Sequence, residues 1–320
     1  MGGEESMKTK HQGWGWMLAV DFFFAGMGGA MLVLTGIIEL FVGEGRTSLV
    51  GNVMGPAFMG IGCCFLVFEL GRPFQSWRVF MNPKAILTAG AWIMSIAMVV
   101  GLAYASFGLN PAWFGVEKLF WQDMFLVRKL LAVIGVLTGL VVATYPGVLL
   151  ARHKGRPFWV GPGMITLFLL SSLVTGVSAH FLSALVMRPT VVPGIWGNLP
   201  AFAAGLLFFQ LVIWFGYLWV KRTGATEAEA VSAQRWISGD ISGSFFFVFL
   251  FIGTLVPLVL FLQPAPLLQG VGALLVLLGG VTMRCLVVRA GQDRTWLPGE
   301  VKYRGRLPLG DEAFLKAWNK

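Results

Sequence analysis

Asp21, Glu69, Arg72, Tyr145 and Arg284 sit inside or at the ends of long apolar stretches of this 320-residue chain. An aspartate within a membrane-spanning helix costs about 2.5 to 3.5 kcal/mol on insertion scales, so it faces a partner or a polar cavity rather than lipid. Asp21 is therefore the first candidate. Tyr145 lies about one and a half turns from the end of a stretch that runs the opposite way, which returns it to the same face at a similar depth. Glu69 and Arg72 close the second stretch on this face. Arg284, about one turn from the end of the last stretch, also comes back to it. A carboxylate and a phenol in a mostly apolar cleft can hydrogen-bond the carbonyls or hydroxyls of a hydrophobic carrier, and the carboxylate can exchange protons with it. That is the chemistry of quinone and quinol. Blander roles compete: Arg72 and Arg284 can snorkel, Glu69 can cap a helix or pair with one of them, and Tyr145 can belong to an aromatic belt.

The elements that must position these residues are apolar runs, each long enough for the roughly 20 residues a span requires. They are Met17 to Val42, Val50 to Leu70, Ile86 to Phe107, Met124 to Leu150, Phe158 to Met187, Leu199 to Val220, Ile241 to Leu262 and Leu267 to Val288. Hydrophobic residues make up 57% of the chain and charged residues 12%, with a mean hydropathy of +0.77, against roughly 25% charged in soluble domains. Backbone hydrogen bonding in lipid leaves helices and closed barrels, and runs of this length select helices. The fold class is all-α, an integral membrane protein of eight transmembrane helices. Acidic Glu4 and Glu5 beside Lys8 and Lys10, with a first run too long for a signal peptide, predict that the first span stays as an anchor. Small residues in Gly26-Met27-Gly28-Gly29-Ala30 allow close backbone approach and predict a first span buried among its neighbours. Tryptophans cluster near span ends, as interfacial anchors would.

Eighteen lysines and arginines fall on the side shared by both termini and five on the other, which predicts cytoplasmic termini. This bias and anionic lipid headgroups explain the net charge of +9 without nucleic acid; a docking surface for an acidic partner is the sharper alternative. Cys63, Cys64 and Cys285 all fall in spans and no CxxC spacing exists, so the chain is expected to hold no iron–sulfur cluster. His180 is the one histidine in a span, which excludes bis-histidine haem and predicts a hydrogen-bonded histidine packed between helices. No metal site is expected. Glu39, at the opposite end of the first span, can serve a proton route or, beside Glu44 and Arg46, be a solvated surface acid.

Several motifs together resemble the NrfD-like membrane subunits of the polysulfide reductase family. They are Trp16 to Gly26 around Asp21, Glu69-Leu-Gly-Arg-Pro73 with Trp77 and Asn82-Pro83, Tyr145-Pro146-Gly147 with Leu149-Leu150-Ala151, and Arg284 followed by Ala290-Gly291-Gln292. The resemblance implies a prokaryotic inner-membrane protein of two four-helix bundles, 17–150 and 151–290, between tails 1–16 and 291–320. It implies no haem, a quinone site in the first bundle for menaquinone or ubiquinone, and electron exchange with a ferredoxin-like iron–sulfur subunit that often serves a molybdopterin catalytic subunit. Asp21 takes the place of a polar residue lining that quinone pocket, and Tyr145 matches its tyrosine. Glu69 and Arg72 join them as binding candidates, with Arg284 and Glu39 as support or proton path. Two positions depart from the pattern: the acid at Asp21 stands at a position that looks like a histidine in polysulfide reductase, and Leu18 stands where the pocket asparagine is expected. Many members bind quinone near the periplasmic face, whereas the charge count puts Asp21 and Tyr145 on the cytoplasmic side, with the partner there too. A transporter or a passive anchor would show the same spans, and Pro56, Pro146 and Pro257 could mark the broken helices of a transporter. The basic, aromatic tail from Gln292 to Lys320 could brace a partner or lie at the interface.

Overall fold

The structure, a computed structural model, describes residues 15–43, 47–69, 73–81, 85–153, 155–187, 194–224 and 226–291. Arg72, Glu44, Arg46 and the tail from Gln292 lie outside them. The described residues are helical, with no strand among them. Helices α1 (Trp16–Phe41), α2 (Leu49–Glu69), α3 (Ile86–Ser106) and α4 (Phe125–Ala151) form the first four spans. They are followed by α5 (Gly163–Val186), α6 (Gly194–Arg222) and the short α7 (Glu227–Ser238). A π-helical segment, Ser244–Leu255, then runs into α8 (Val256–Phe261) as the seventh span, and α9 (Pro266–Ala290) is the eighth.

Helix α1 lies at the centre, packed against α2, α4, α5 and α9. Glycine makes this possible. A Cβ on Gly29 would come within 2.9 Å of the Gly139 carbonyl of α4, and one on Gly176 of α5 within 2.7 Å of the Ala30 side chain. Helices α2 and α4 run unbroken through Pro56 and Pro146, because neighbouring membrane helices tolerate the missing donor.

Two expectations need correction. The fifth span begins at Gly163 rather than Phe158: Gly161 adopts φ +114, a left-handed conformation favouring glycine, and breaks the run before Pro162. Phe158 and Trp159 instead enter a buried aromatic cluster with Trp214, Trp236, Phe245 and Phe249. Trp159, Trp214 and Trp236 are thus core residues rather than belt anchors; Trp159 donates its N–H to the Val287 carbonyl at 2.8 Å. Trp16, Trp77, Trp92 and Trp219 are exposed, as anchors are. Helix α7 lies between the sixth and seventh spans, and its Thr226 hydroxyl accepts the Glu229 N–H at its start. The Thr-x-x-Glu spacing is a capping-box signal within what reads as a loop.

Candidate functional site

Asp21 is 3% exposed and lies in the second turn of α1, facing α2: a Cβ on Gly62 would come within 3.0 Å of its Oδ1. This oxygen has no hydrogen-bond partner among the described residues. Gly62 is followed on α2 by Cys63, and Tyr145 is carried by α4, which also packs on α1. The Tyr145 ring lies flat against the bare backbone of α3 at Gly90, where a Cβ would be 2.6 Å from Cε2 and 2.7 Å from Oη. Its hydroxyl makes a single long bond, 3.4 Å to the Ile86 carbonyl, which already belongs to the first turn of α3. Two polar groups on helices packed against each other are therefore left with little to satisfy them. One turn deeper, Ala25, Met59, Met94 and Val142 form a buried apolar floor.

The other candidates separate from this pair. Glu69 accepts the Gly15 N–H at 2.7 Å, capping the start of α1, so the helix-cap role describes it. Arg284 does not snorkel: it is fully buried. Its guanidinium donates to the carbonyls of Phe22 and Gly280 at 3.0 and 2.9 Å and to the hydroxyls of Ser171 and Ser172 at 3.0 and 3.1 Å. The rings of Phe23 and Phe168 flank it. It ties α1, α5 and α9 together.

Glu39 is also buried, not a solvated acid. Arg128 Nε donates to its Oε1 at 2.8 Å and Tyr104 to its Oε2 at 2.9 Å. The pair borders an open cavity of about 360 Å³ whose lining includes Phe41, Phe125 and Lys129. Nearby, His180 Nε2 lies 3.0 Å from both the Met31 carbonyl and the Thr35 hydroxyl. A carbonyl only accepts, so Nε2 carries the proton. Thr35 then donates to Asn52 Oδ1 at 2.9 Å, and Asn52 Nδ2 donates to Thr47 at 3.0 Å. His180 is the packed, hydrogen-bonded histidine expected. Sequence reading missed Arg128, Tyr104 and Thr35; an arginine in the first turn of a span is the one signal it offered.

Outside the spans, burial and neighbouring Arg156 hold the His153 imidazole below its usual range, keeping it neutral at pH 7. Among the described residues no three His, Cys, Asp or Glu side chains gather to hold a metal ion.

A family model described as polysulphide reductase, NrfD, matches residues 4–295. The C subunit of polysulfide reductase from Wolinella succinogenes is 24% identical over 300 residues, covering 87% of the present sequence and 94% of that subunit. Protein NrfD of Escherichia coli K12 is 22% identical over 229 residues, covering 60% of the present sequence and 71% of that protein.

Proposed function

The chain belongs to the NrfD polysulphide reductase family, and from that premise we propose that it is the membrane subunit of an oxidoreductase complex, exchanging electrons between membrane quinone or quinol and a peripheral iron–sulfur subunit. The observation that carries this reading is the buried, unpartnered Oδ1 of Asp21 beside the weakly bonded hydroxyl of Tyr145. An orphaned buried oxygen costs about 1 to 3 kcal/mol and persists where a ligand satisfies it. Quinone carbonyls and quinol hydroxyls offer the complementary groups, and Gly62 and Gly90 let the backbones of α2 and α3 come directly against both residues.

A bound quinol supplies two electrons and two protons. Asp21 takes these protons one at a time at Oδ1, passing each to water at the near membrane face while the two electrons leave for the iron–sulfur subunit, and returns them when flow reverses. The Tyr145 hydroxyl leaves its long bond to Ile86 and orients the headgroup by hydrogen bonding. The apolar floor keeps water from below. Glu39 lies about 27 Å along α1 from Asp21 and is already neutralised by Arg128, so proton movement coupled to electron exchange is assigned to Asp21, with Glu39 and Arg284 as support.

The Wolinella relative is by name one subunit of its enzyme. In this reading the present protein likewise works beside a ferredoxin-like iron–sulfur subunit and a molybdopterin catalytic subunit in a prokaryotic cell membrane. The test is quinol-dependent reduction of the clusters in the purified native complex, wild type against Asp21→Ala, with assembly checked in both. Loss of reduction in an intact complex supports the reading. Unchanged reduction moves the site elsewhere and favours a passive anchor, and a protein that purifies without iron–sulfur protein points to a transporter.

A further inference from the structure

Asp21 and Tyr145 offer only hydrogen bonds, and every quinone presents carbonyls that can take them. They cannot tell one ring from another. Discrimination among rings needs shape contacts along the ring edge, where a single methylene of misfit changes affinity by roughly tenfold or more. The side chains placed to make such contacts come from α2 and α3. Cys63 follows Gly62, whose bare backbone borders Asp21 Oδ1. Met94 lies one turn along α3 from Gly90, the glycine under the Tyr145 ring. The two sulfurs meet between α2 and α3: Cys63 Sγ donates to Met94 Sδ at 3.1 Å. With its hydrogen given to Met94, the thiol does not compete for the carrier's carbonyls. It presents a polarisable, apolar edge of the kind that packs well on aromatic rings.

Resting on the quinone reading above, we propose that the Cys63–Met94 sulfur pair is the wall against which the carrier's ring packs, and that it determines which ring the cleft accepts. Met94 is 4% exposed and held in the floor cluster with Ala25, Met59 and Val142. Cys63 is only half-buried and is the member with room to change. Its neighbour Cys64 is exposed on the outer side of α2 and serves as an internal control.

The experiment measures equilibrium binding of two short-tailed quinones, a benzoquinone and a naphthoquinone, to the detergent-purified complex by quenching of tryptophan fluorescence. The proteins are wild type, Cys63→Ala, Cys63→Leu and Cys64→Leu. Cys63→Leu is expected to weaken naphthoquinone binding at least tenfold more than benzoquinone binding. Cys63→Ala should shift the ratio of the two dissociation constants the opposite way, and Cys64→Leu should leave it unchanged. A generally damaged site would weaken both quinones alike, so only a changed ratio supports the wall. A ratio that stays constant in both Cys63 variants, with wild type binding, overturns the inference and leaves the quinone reading standing. Wild type that binds neither quinone removes that reading and the inference with it.

Discussion

Buried polar groups in this protein are of two kinds, satisfied and waiting, and the difference decides what each residue predicts. Tyr145 waits, and its position depends on a glycine. Adding a methyl in Gly90→Ala places Cβ 2.7 Å from the phenol oxygen and 2.6 Å from Cε2, so the ring must move by about an ångström, a displacement that can cost roughly 100-fold in rate. Quinol-dependent cluster reduction should fall by about that factor in Gly90→Ala, and by about tenfold in Tyr145→Phe, which keeps the ring and loses one hydrogen bond. Equal rates in both variants and wild type would remove Tyr145 from the site. Glu39 is satisfied, since Arg128 Nε and the Tyr104 hydroxyl both donate to its carboxylate. Removing one partner leaves a buried charge, so Arg128→Met should cost about 3 to 5 kcal/mol, whereas Glu39→Gln with Arg128→Met should recover much of it. Thermal unfolding of the purified complex reads both. Asp21 and Tyr145 were legible in the sequence because polar groups stand out in apolar runs. Ser171 and Ser172 were not. Membrane hydroxyls ordinarily bond back to their own helix, as Thr138 and Ser178 do, and spacing does not say which ones turn to an arginine 112 residues away.

At the scale of elements, hydrophobic length revealed all eight spans, because lipid allows a backbone of that composition little else. Their ends were less legible where an apolar residue is buried by protein rather than by lipid. Phe158 and Trp159 carry the hydropathy of a span yet belong to a turn packed under α6 and α7, where Lys221 donates to the carbonyls of Pro157 and Val160 at 2.8 and 2.7 Å. The amphipathic α7 was hidden for the opposite reason, since its polarity reads as loop. Its C-terminal end is held electrostatically: Arg235 grips Asp240 with two bonds of 2.7 and 2.8 Å, and Arg289 of α9 adds a third at 3.3 Å. The Arg235 hydrogen bond, with the charges of Arg235 and Arg289, holds the Asp240 carboxyl below its usual range. A depressed carboxyl contributes stability that is complete above the ordinary value near 3.9 and is lost as pH falls through the lower folded value. Amide protection factors in α7 should therefore be the same from pH 7 down to about 5, with exchange rising relative to its intrinsic rate only in strong acid. Asp240→Asn should show the raised exchange already at pH 7, with little change in overall unfolding, because exposed pairs contribute about 0 to 1 kcal/mol. Protection of α7 that ignores the substitution would assign its docking to Trp236 alone.

Across the whole molecule, an even number of spans puts the start of α1, the loops after α2, α4 and α6, and the end of α9 on one face. Asp21 and Tyr145 open toward that face, while Glu39, Arg128 and His180 lie toward the other. Under the proposed function, electron exchange with a peripheral cluster takes place where the carrier binds, so orientation decides the compartment of the partner. Eighteen basic residues against five are what insertion with that face in the cytoplasm would produce, and basic residues recruited to dock a partner would produce the same imbalance. Labelling separates the two causes. Gln234 is exposed on α7 on the basic face and Glu117 is exposed on the opposite loop. In whole cells a membrane-impermeant thiol reagent should label Glu117→Cys and reach Gln234→Cys only after the membrane is opened. The native cysteines give little background, since all three lie within spans. The reverse pattern would put the Asp21 cleft and its partner outside the cytoplasm, and would convert the basic excess from an insertion signal into the footprint of a docked acidic subunit. Neutralising Arg235 and Arg289 would then weaken partner retention at high salt first, because exposed charge pairs are screened within about 10 Å at 0.1 M ionic strength. If the cleft is cytoplasmic, the same neutralisation should leave retention unchanged and shift the labelling toward mixed orientation.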